Sequence, residues 1–431
     1  MEFRNRTTFP ALRFASVDVQ DQEHHVVVMR VTYRLQRNAI ASTAARDVFD
    51  TCVIDKDAPP LVLADEFAGD PETSSTRQES DLAPFKPRCD VIVNAVAHAP
   101  GGVPSTQWPV RLRVSERLDA AIADLRQHAL ADPDTWLIDK TLRVHGPRDI
   151  RLGVSGWKLG AARETRCVAV DYERAFGGLC RVADPAATDA PVYLLNEACY
   201  SNPVGCGWMD PRFESALRKA RLGIPQPLPG PQVDDPRQPL REVVLARNPA
   251  PPVDARGMAE AAAAYGAVPA GFGCVGRSWA PRLQRAGCYD EAWQRERWPR
   301  LPHDFTFAYW NCAPEDQQIP HPADGSLRFT LDHLAAPEHA PSGRVVFELP
   351  PYRAFVLARF GNGVMHPIPL RVDTVIVDTQ AMTVAQVWRV SLPASLPLRV
   401  LEARLEADPA APLLRVKPRA SHPPVPATQQ G

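Results

Sequence analysis

The chain has 431 residues, with 49 Lys and Arg against 50 Asp and Glu and a formal net charge of −1. That balance excludes the basic footprint of a nucleic-acid binder, and the lack of any apolar run of about 18 residues excludes a membrane-spanning helix. The 45 prolines, about twice the ordinary share, exclude a helical bundle and demand turns and short strands.

The length implies two to three domains. The first residues, MEFRNRTTFPALRF, carry charge and no apolar signal segment. The nine cysteines are scattered and form no Cys-x-x-Cys pair. These features place the chain in a reducing cytoplasm, with its cysteines acting as small buried hydrophobes.

A β-branched run at 26–29 turns into an alternation of Val31, Tyr33 and Leu35 with Arg30, Thr32 and Arg34, which is a half-buried strand. Residues 56–84 are polar and proline-rich and form a loop. Strands at 89–97 and 108–114, separated by Pro100-Gly101-Gly102, fit a β-hairpin with a long loop. Over 118–131 the apolar period becomes helical, ended by Asp132-Pro133. Strands resume at 140–144, near Ile150 and at 167–172. The helix is therefore an insertion in a β region.

From 173 to 325 proline and glycine forbid long regular elements. Short helices are expected at 213–220, 259–264 and 289–297, with an extended stretch at 223–252. Within this region 271–317 carries Trp279, Trp293, Trp298 and Trp310, with Trp208 in a related stretch upstream, among arginines, prolines and aspartates. Indole rings bury large areas and need a partner for the N–H. Arginine forks stack on rings and clamp carboxylates. The segment reads as an ordered, irregular layer lying over a scaffold.

The β pattern returns at 327–331, 344–349, 354–360, 374–378 and 383–391. A short helix is expected at 395–406, and a flexible proline-rich tail from 408. The fold class is mainly β, with β-sandwich or barrel-like modules, short helices and a long ordered loop region. The divisions are 1–172 (a β module), 173–325 (the Trp/Arg layer), 326–407 (a second β module) and 408–431 (the tail). The two ends are expected to pack together, since neither carries enough strands for a covered sheet pair.

Candidate chemistry is sparse. Gly271-Phe272-Gly273-Cys274-Val275-Gly276 matches G-x-G-x-x-G, but no strand precedes it and no long helix follows, so it reads as a turn and not a nucleotide site. Glu173 beside Arg174 fits either a catalytic carboxylate or a buried structural ion pair orienting the turn at Gly177-Gly178. Asn202-Pro203-Val204-Gly205 is a turn. Asp304, Asn311, Asp316 and Gln317 offer oxygen ligands but match no metal loop. His303, His321 and His366 are isolated. Arg277, Trp279, Arg282, Trp293 and Arg300 suit a binding face or a packed internal network.

Taken in order, KPRCDV, WPVRLRV, YERAFGG, NPVG, GFG, R-x-W-x-PR, G-x-YD-x-x-W, PRLP-x-DF and N-x-AP-x-DQ resemble one bacterial family, the domain-of-unknown-function 2169 family. The resemblance runs from about residue 1 to 391. Members are often encoded beside type VI secretion genes, which implies a non-enzymatic adaptor or chaperone. Such a protein would bind a secreted effector and load it onto the spike and its tip protein. It implies no catalytic residue, no metal and no cofactor. Carried onto this chain, the motif positions include Lys86, Asp90, Tyr172, Glu173, Arg174, Phe176, Gly177, Gly178, Asn202, Pro203, Gly205, Arg277, Trp279, Arg282, Tyr289, Asp290, Trp293, Arg300, Asp304, Asn311, Asp316 and Gln317. The 118–131 helix departs from the family pattern, in which that hairpin closes directly. The other readings are a hydrolase of a carbohydrate or acyl bond, using Glu173 with Asp304 or Asp316, and a structural component of the secretion machine. A hydrolase should bring its carboxylates together in a pocket, whereas an adaptor should tie Glu173 to an arginine in the interior.

Overall fold

The computed structural model describes residues 1–71, 74–116, 136–154, 156–179, 205–208, 228–237, 270–322 and 325–414. It is mainly β. The helices expected at 118–131, 213–220 and 259–264 lie outside the described residues.

A 12-stranded sheet dominates. Its centre is the long strand Glu23–Arg37, and Thr383–Pro393 pairs with it antiparallel from Arg34 back to His24. On the other side Ala11–Val17 covers its first half and Asp47–Val53 its second. The continuous apolar run Val26 to Met29 is inaccessible to solvent, as a strand covered on both faces requires. Strands from 1–172 and from 326–407 interleave: Leu327–Asp332 pairs with Gln107–Glu116, and Arg344–Glu348 lies parallel to Asp47–Val53.

A smaller four-stranded sheet holds Leu398–Glu406 between Glu2–Asn5 and Arg353–Phe360, with Met365–Pro369 at its edge. One hydrophobic core draws on both sheets, from Val27, Met29 and Tyr33 to Val356, Ala358 and Leu401. Stacked Phe329 and Phe347 lie within it, 4.8 Å between ring centres.

Two sequence expectations are corrected. The segment 395–406 is a strand, Leu398–Glu406, and not a helix. Its Leu, Arg, Glu and Ala content favours a helix, but insertion between two strands overrides that local preference. The 89–97 and 108–114 strands do not form a hairpin. Cys89–Asn94 lies parallel to Arg371–Asp378, and Gln107–Glu116 pairs with Ile138–His145 and Leu327–Asp332. Cys89 to Val93 are buried, and such a strand needs neighbours on both edges, which a hairpin partner alone cannot supply.

The cysteines also divide. Cys89, Cys274 and Cys312 are buried, whereas Cys52, Cys167 and Cys288 are exposed. Met365–Pro369 escaped the sequence reading because two of its five residues are proline, which confines it to a sheet edge. In the 223–252 stretch, Leu228–Pro229 and Val233–Asp234 each add a two-residue strand to a neighbouring sheet. Beyond the last strand, Arg353 Nη2 donates to the Asp408 carbonyl at 2.8 Å.

Candidate functional site

The shared motifs converge where the irregular segment 270–317 crosses the Cys89–Asn94 side of the large sheet. Asp90 is at the centre and wholly buried. Its Oδ2 accepts from Lys86 Nζ at 2.8 Å and from the Cys312 N–H at 3.0 Å, and its Oδ1 accepts from Asn311 Nδ2 at 3.0 Å and the Ala313 N–H at 3.2 Å. Lys86 Nζ also donates to Thr374 Oγ1 at 2.9 Å. Burial alone would lower the Lys86 pKa, but the Asp90 charge outweighs it and holds the ammonium above its ordinary value. One buried carboxylate thus fastens the N-x-AP loop to the sheet.

Gln317 is the second fastening. Its Oε1 accepts from Lys140 Nζ at 2.8 Å, and its Nε2 donates to the Val91 and Phe272 carbonyls at 2.8 and 2.9 Å. The neighbouring Asp316 accepts from Lys140 Nζ at 2.9 Å and Arg237 Nη2 at 3.1 Å. Burial pushes the Asp316 carboxyl up, and these two cations more than reverse it.

Arg282 is the third. It is 1% exposed and grips both oxygens of Glu79, with further bonds to the Val275 and Tyr309 carbonyls at 2.6 and 2.9 Å. Arg277 reaches Asp65 at 3.1 Å and Glu79 at 3.4 Å, and lies 5.6 Å from the centre of the Trp310 ring.

The Gly271 turn is set by a ring. A Cβ on Gly271 would stand 2.5 Å from Tyr172 Cε1. Tyr172 donates its hydroxyl to the Gly273 carbonyl at 3.1 Å. The turn therefore wraps the ring, and only a four-residue helix, Ala280–Leu283, follows.

Glu173 departs from expectation. Its carboxylate accepts from the Ser75 N–H at 2.6 Å and from the Ser75 hydroxyl. Arg174 turns outward, donating to Gln232 Oε1 at 2.9 Å and standing 3.8 Å from Asp171. The expected Glu173–Arg174 pair is therefore replaced by a Ser75 clasp, because neighbouring side chains at the start of this turn diverge. Asp171 lines a cavity of about 180 Å³ with Ser75, Arg77, Asn94, Tyr172 and Gly273. Burial, then the charge of Glu173, pushes its carboxyl up to about 7.

The remaining candidates brace the outer layer. The Asp290 carboxylate caps the helix Glu291–Glu296 by accepting from the Trp293 N–H at 2.8 Å. Trp293 Nε1 donates to the Arg300 carbonyl at 2.8 Å, and Tyr289 packs edge-on to its ring at 4.7 Å. Arg297 and Arg300 share Asp21 at 2.9 Å each. Asp304 accepts from the Cys288 N–H at 3.0 Å. The indole N–H of Trp293 thus finds a partner, whereas the buried Nε1 atoms of Trp279 and Trp310 have none among the described residues. Phe176 is buried, Gly177 and Gly178 lie in the strand Phe176–Leu179, and Gly205 precedes Cys206–Trp208, its parallel neighbour. Asn202 and Pro203 lie outside the described residues.

Glu173, Asp304 and Asp316 are each bound to different partners. The residues that complete the site were not visible in the sequence. Ser75, Glu79, Asp65, Asp21 and Lys140 follow no spacing rule, since they meet their partners only through the fold. Among the described residues no helix is long and apolar enough to cross a membrane, and no group of three or more His, Cys, Asp or Glu is placed to hold a metal.

Residues 20–389 match a bacterial family described as "Uncharacterized protein conserved in bacteria (DUF2169)". No curated protein and no solved structure matches the chain.

Proposed function

Because the chain belongs to the DUF2169 family, we propose that it is a non-enzymatic adaptor, which binds a type VI secretion effector and hands it to the spike and tip complex from the cytoplasm. The observation that carries this reading is how the motif side chains are spent. Lys86 is paired with Asp90, Arg282 with Glu79, and Asp316 and Gln317 with Lys140, all partners within the same fold. Groups so occupied brace a shape and are not free to bind and release a reacting molecule. Meanwhile Tyr289 and Trp298 of the same layer stand 53% and 67% exposed. Aromatic rings fixed on a rigid frame are the residues that anchor protein contacts.

The test is co-expression with the products of neighbouring secretion genes, followed by affinity purification of this chain. The effector should co-purify. Tyr289→Ala with Trp298→Ala should abolish capture while the chain keeps a cooperative thermal transition. A chain that captures no neighbouring gene product would refute the reading.

A further inference from the structure

A second cavity, of about 410 Å³, opens beside the Lys86 fastening. That size suits a side chain and its backbone. Phe85, Ile368, Val390 and Leu392 supply apolar walls. Phe85 is 42% exposed at the lip and is held edge-on against Phe307 at 5.8 Å.

The charged lining is unbalanced. Asp373 is the acid among the lining residues, and it is already bound by Arg389 Nε at 2.5 Å and Thr374 Oγ1 at 3.0 Å. Lys86 is taken by Asp90. Arg389 is 5% exposed and spends Nη1 on the carbonyls of Asp81 and Ala83. Its Nη2 has no hydrogen-bond partner among the described residues. Arg371, exposed at the mouth, has no ion pair among them either. Burial holds the His321 imidazole in the wall below its ordinary pKa, so it adds no charge at neutral pH. The cavity therefore offers apolar walls with guanidinium capacity left over. Its complement is an apolar body carrying a carboxylate.

We propose that this cavity receives the C-terminal residue of a partner polypeptide, its apolar side chain against Phe85, Val390 and Leu392 and its terminal carboxylate on Arg371 and Arg389 Nη2. The proposal rests on the binding role above and adds a site and a ligand class to it. A small organic acid shares the chemistry, but exposed Phe85, backed by half-buried Phe307 at the lip, offers contact area beyond one residue, which suits a chain continuing outward.

The probe is a fluorescein-labelled pentapeptide ending in Leu-Phe, prepared as the free acid and as the C-terminal amide and titrated against the full chain by fluorescence anisotropy. The acid should bind at least about tenfold more tightly than the amide, the scale of one charge-assisted contact. Arg371→Glu should remove that preference, and Ser391→Trp, which fills the cavity, should remove binding of both forms. Thermal transitions matching the wild type would confirm that both variants fold. Equal affinity for acid and amide overturns the proposal. So does unchanged binding to Ser391→Trp, or binding of octanoate with no binding of either peptide. Effector capture that survives while the peptide acid fails to bind sinks this site alone. Loss of capture by the wild-type chain sinks the adaptor reading independently.

Discussion

Arg282 and Glu79, separated by 203 residues, meet in a two-pronged fork with Nη1 to Oε1 at 2.6 Å and Nη2 to Oε2 at 2.8 Å. Both are buried, so each depends on the other. Arg282→Ala strands a buried carboxylate and should cost about 3–5 kcal/mol in urea denaturation. Arg282→Lys should recover little, since an ammonium cannot fork. Burial pushes Glu79 up, but the Arg282 charge and hydrogen bond and the Arg277 charge outweigh it and hold the carboxyl below its ordinary value. A depressed pKa gives stability that is present above the ordinary carboxylate range and lost as pH falls through the folded value. Glu79→Gln should therefore flatten the acid limb of the stability curve.

The Lys86–Asp90 pair predicts strong coupling. Lys86→Met leaves Asp90 buried beside four remaining donors, from Asn311, Cys312 and Ala313. It should destabilise by about 3 kcal/mol or more, and Asp90→Asn by a similar amount. The double variant should lose less than the sum, because neither leaves an unmatched charge. Additive losses in a double-mutant cycle would contradict the geometry.

Gly271 tests the wrapped turn. Gly271→Ala drives a Cβ into the Tyr172 ring and should cost about 1–3 kcal/mol, read from the urea midpoint. Gly361, whose nearest neighbour would stand 3.7 Å from an added Cβ, is the control, and alanine there should cost less than about 1 kcal/mol.

Asp171 predicts the opposite pH response from Glu79. Its carboxyl is pushed up to about 7 by burial and then by the Glu173 charge. A raised pKa gives stability that is complete below the ordinary Asp value and lost as pH climbs through about 7. Asp171→Asn should therefore match the wild type near pH 4 and exceed it at pH 8. The gain should be about 1–2 kcal/mol, reduced from the full linkage value because the side chain is partly solvated. A constant offset at both pH values would remove Asp171 as the cause.

Six of the described thiols predict a two-class labelling pattern. Cys52, Cys167 and Cys288 should react with iodoacetamide in the native state, while Cys89, Cys274 and Cys312 should react only on unfolding. Peptide mass spectrometry before and after urea distinguishes the classes.

How far the sequence could be read depends on the range of each interaction. The alternation at Val31, Tyr33 and Leu35 and the runs at 327–331, 354–360 and 383–391 are local patterns, and each became a strand. The Asp290 cap before the Glu291–Glu296 helix is equally local. Pairing is not local. Cys89–Asn94 chose a parallel neighbour almost three hundred residues away over the nearby strand. The segment Leu398–Glu406 kept its helix-favouring composition and became a strand only because two others flank it. The Glu173–Arg174 adjacency suggested an ion pair, but the decisive partner, Ser75, lies 98 residues back. Motif residues could be found from the chain, whereas distant partners such as Ser75, Glu79 and Lys140 could not.

The pairing of Glu23–Arg37 with Thr383–Pro393 has a consequence for biosynthesis. While the chain is being made, this partner strand is still unsynthesised, and the valine-rich early strand must wait with one edge open. Closing so large a loop is slow in folding terms and leaves the nascent chain prone to aggregation. A polypeptide stopped before residue 383 should be insoluble, and refolding of the whole should be concentration-sensitive, with light scattering at micromolar chain as the measure.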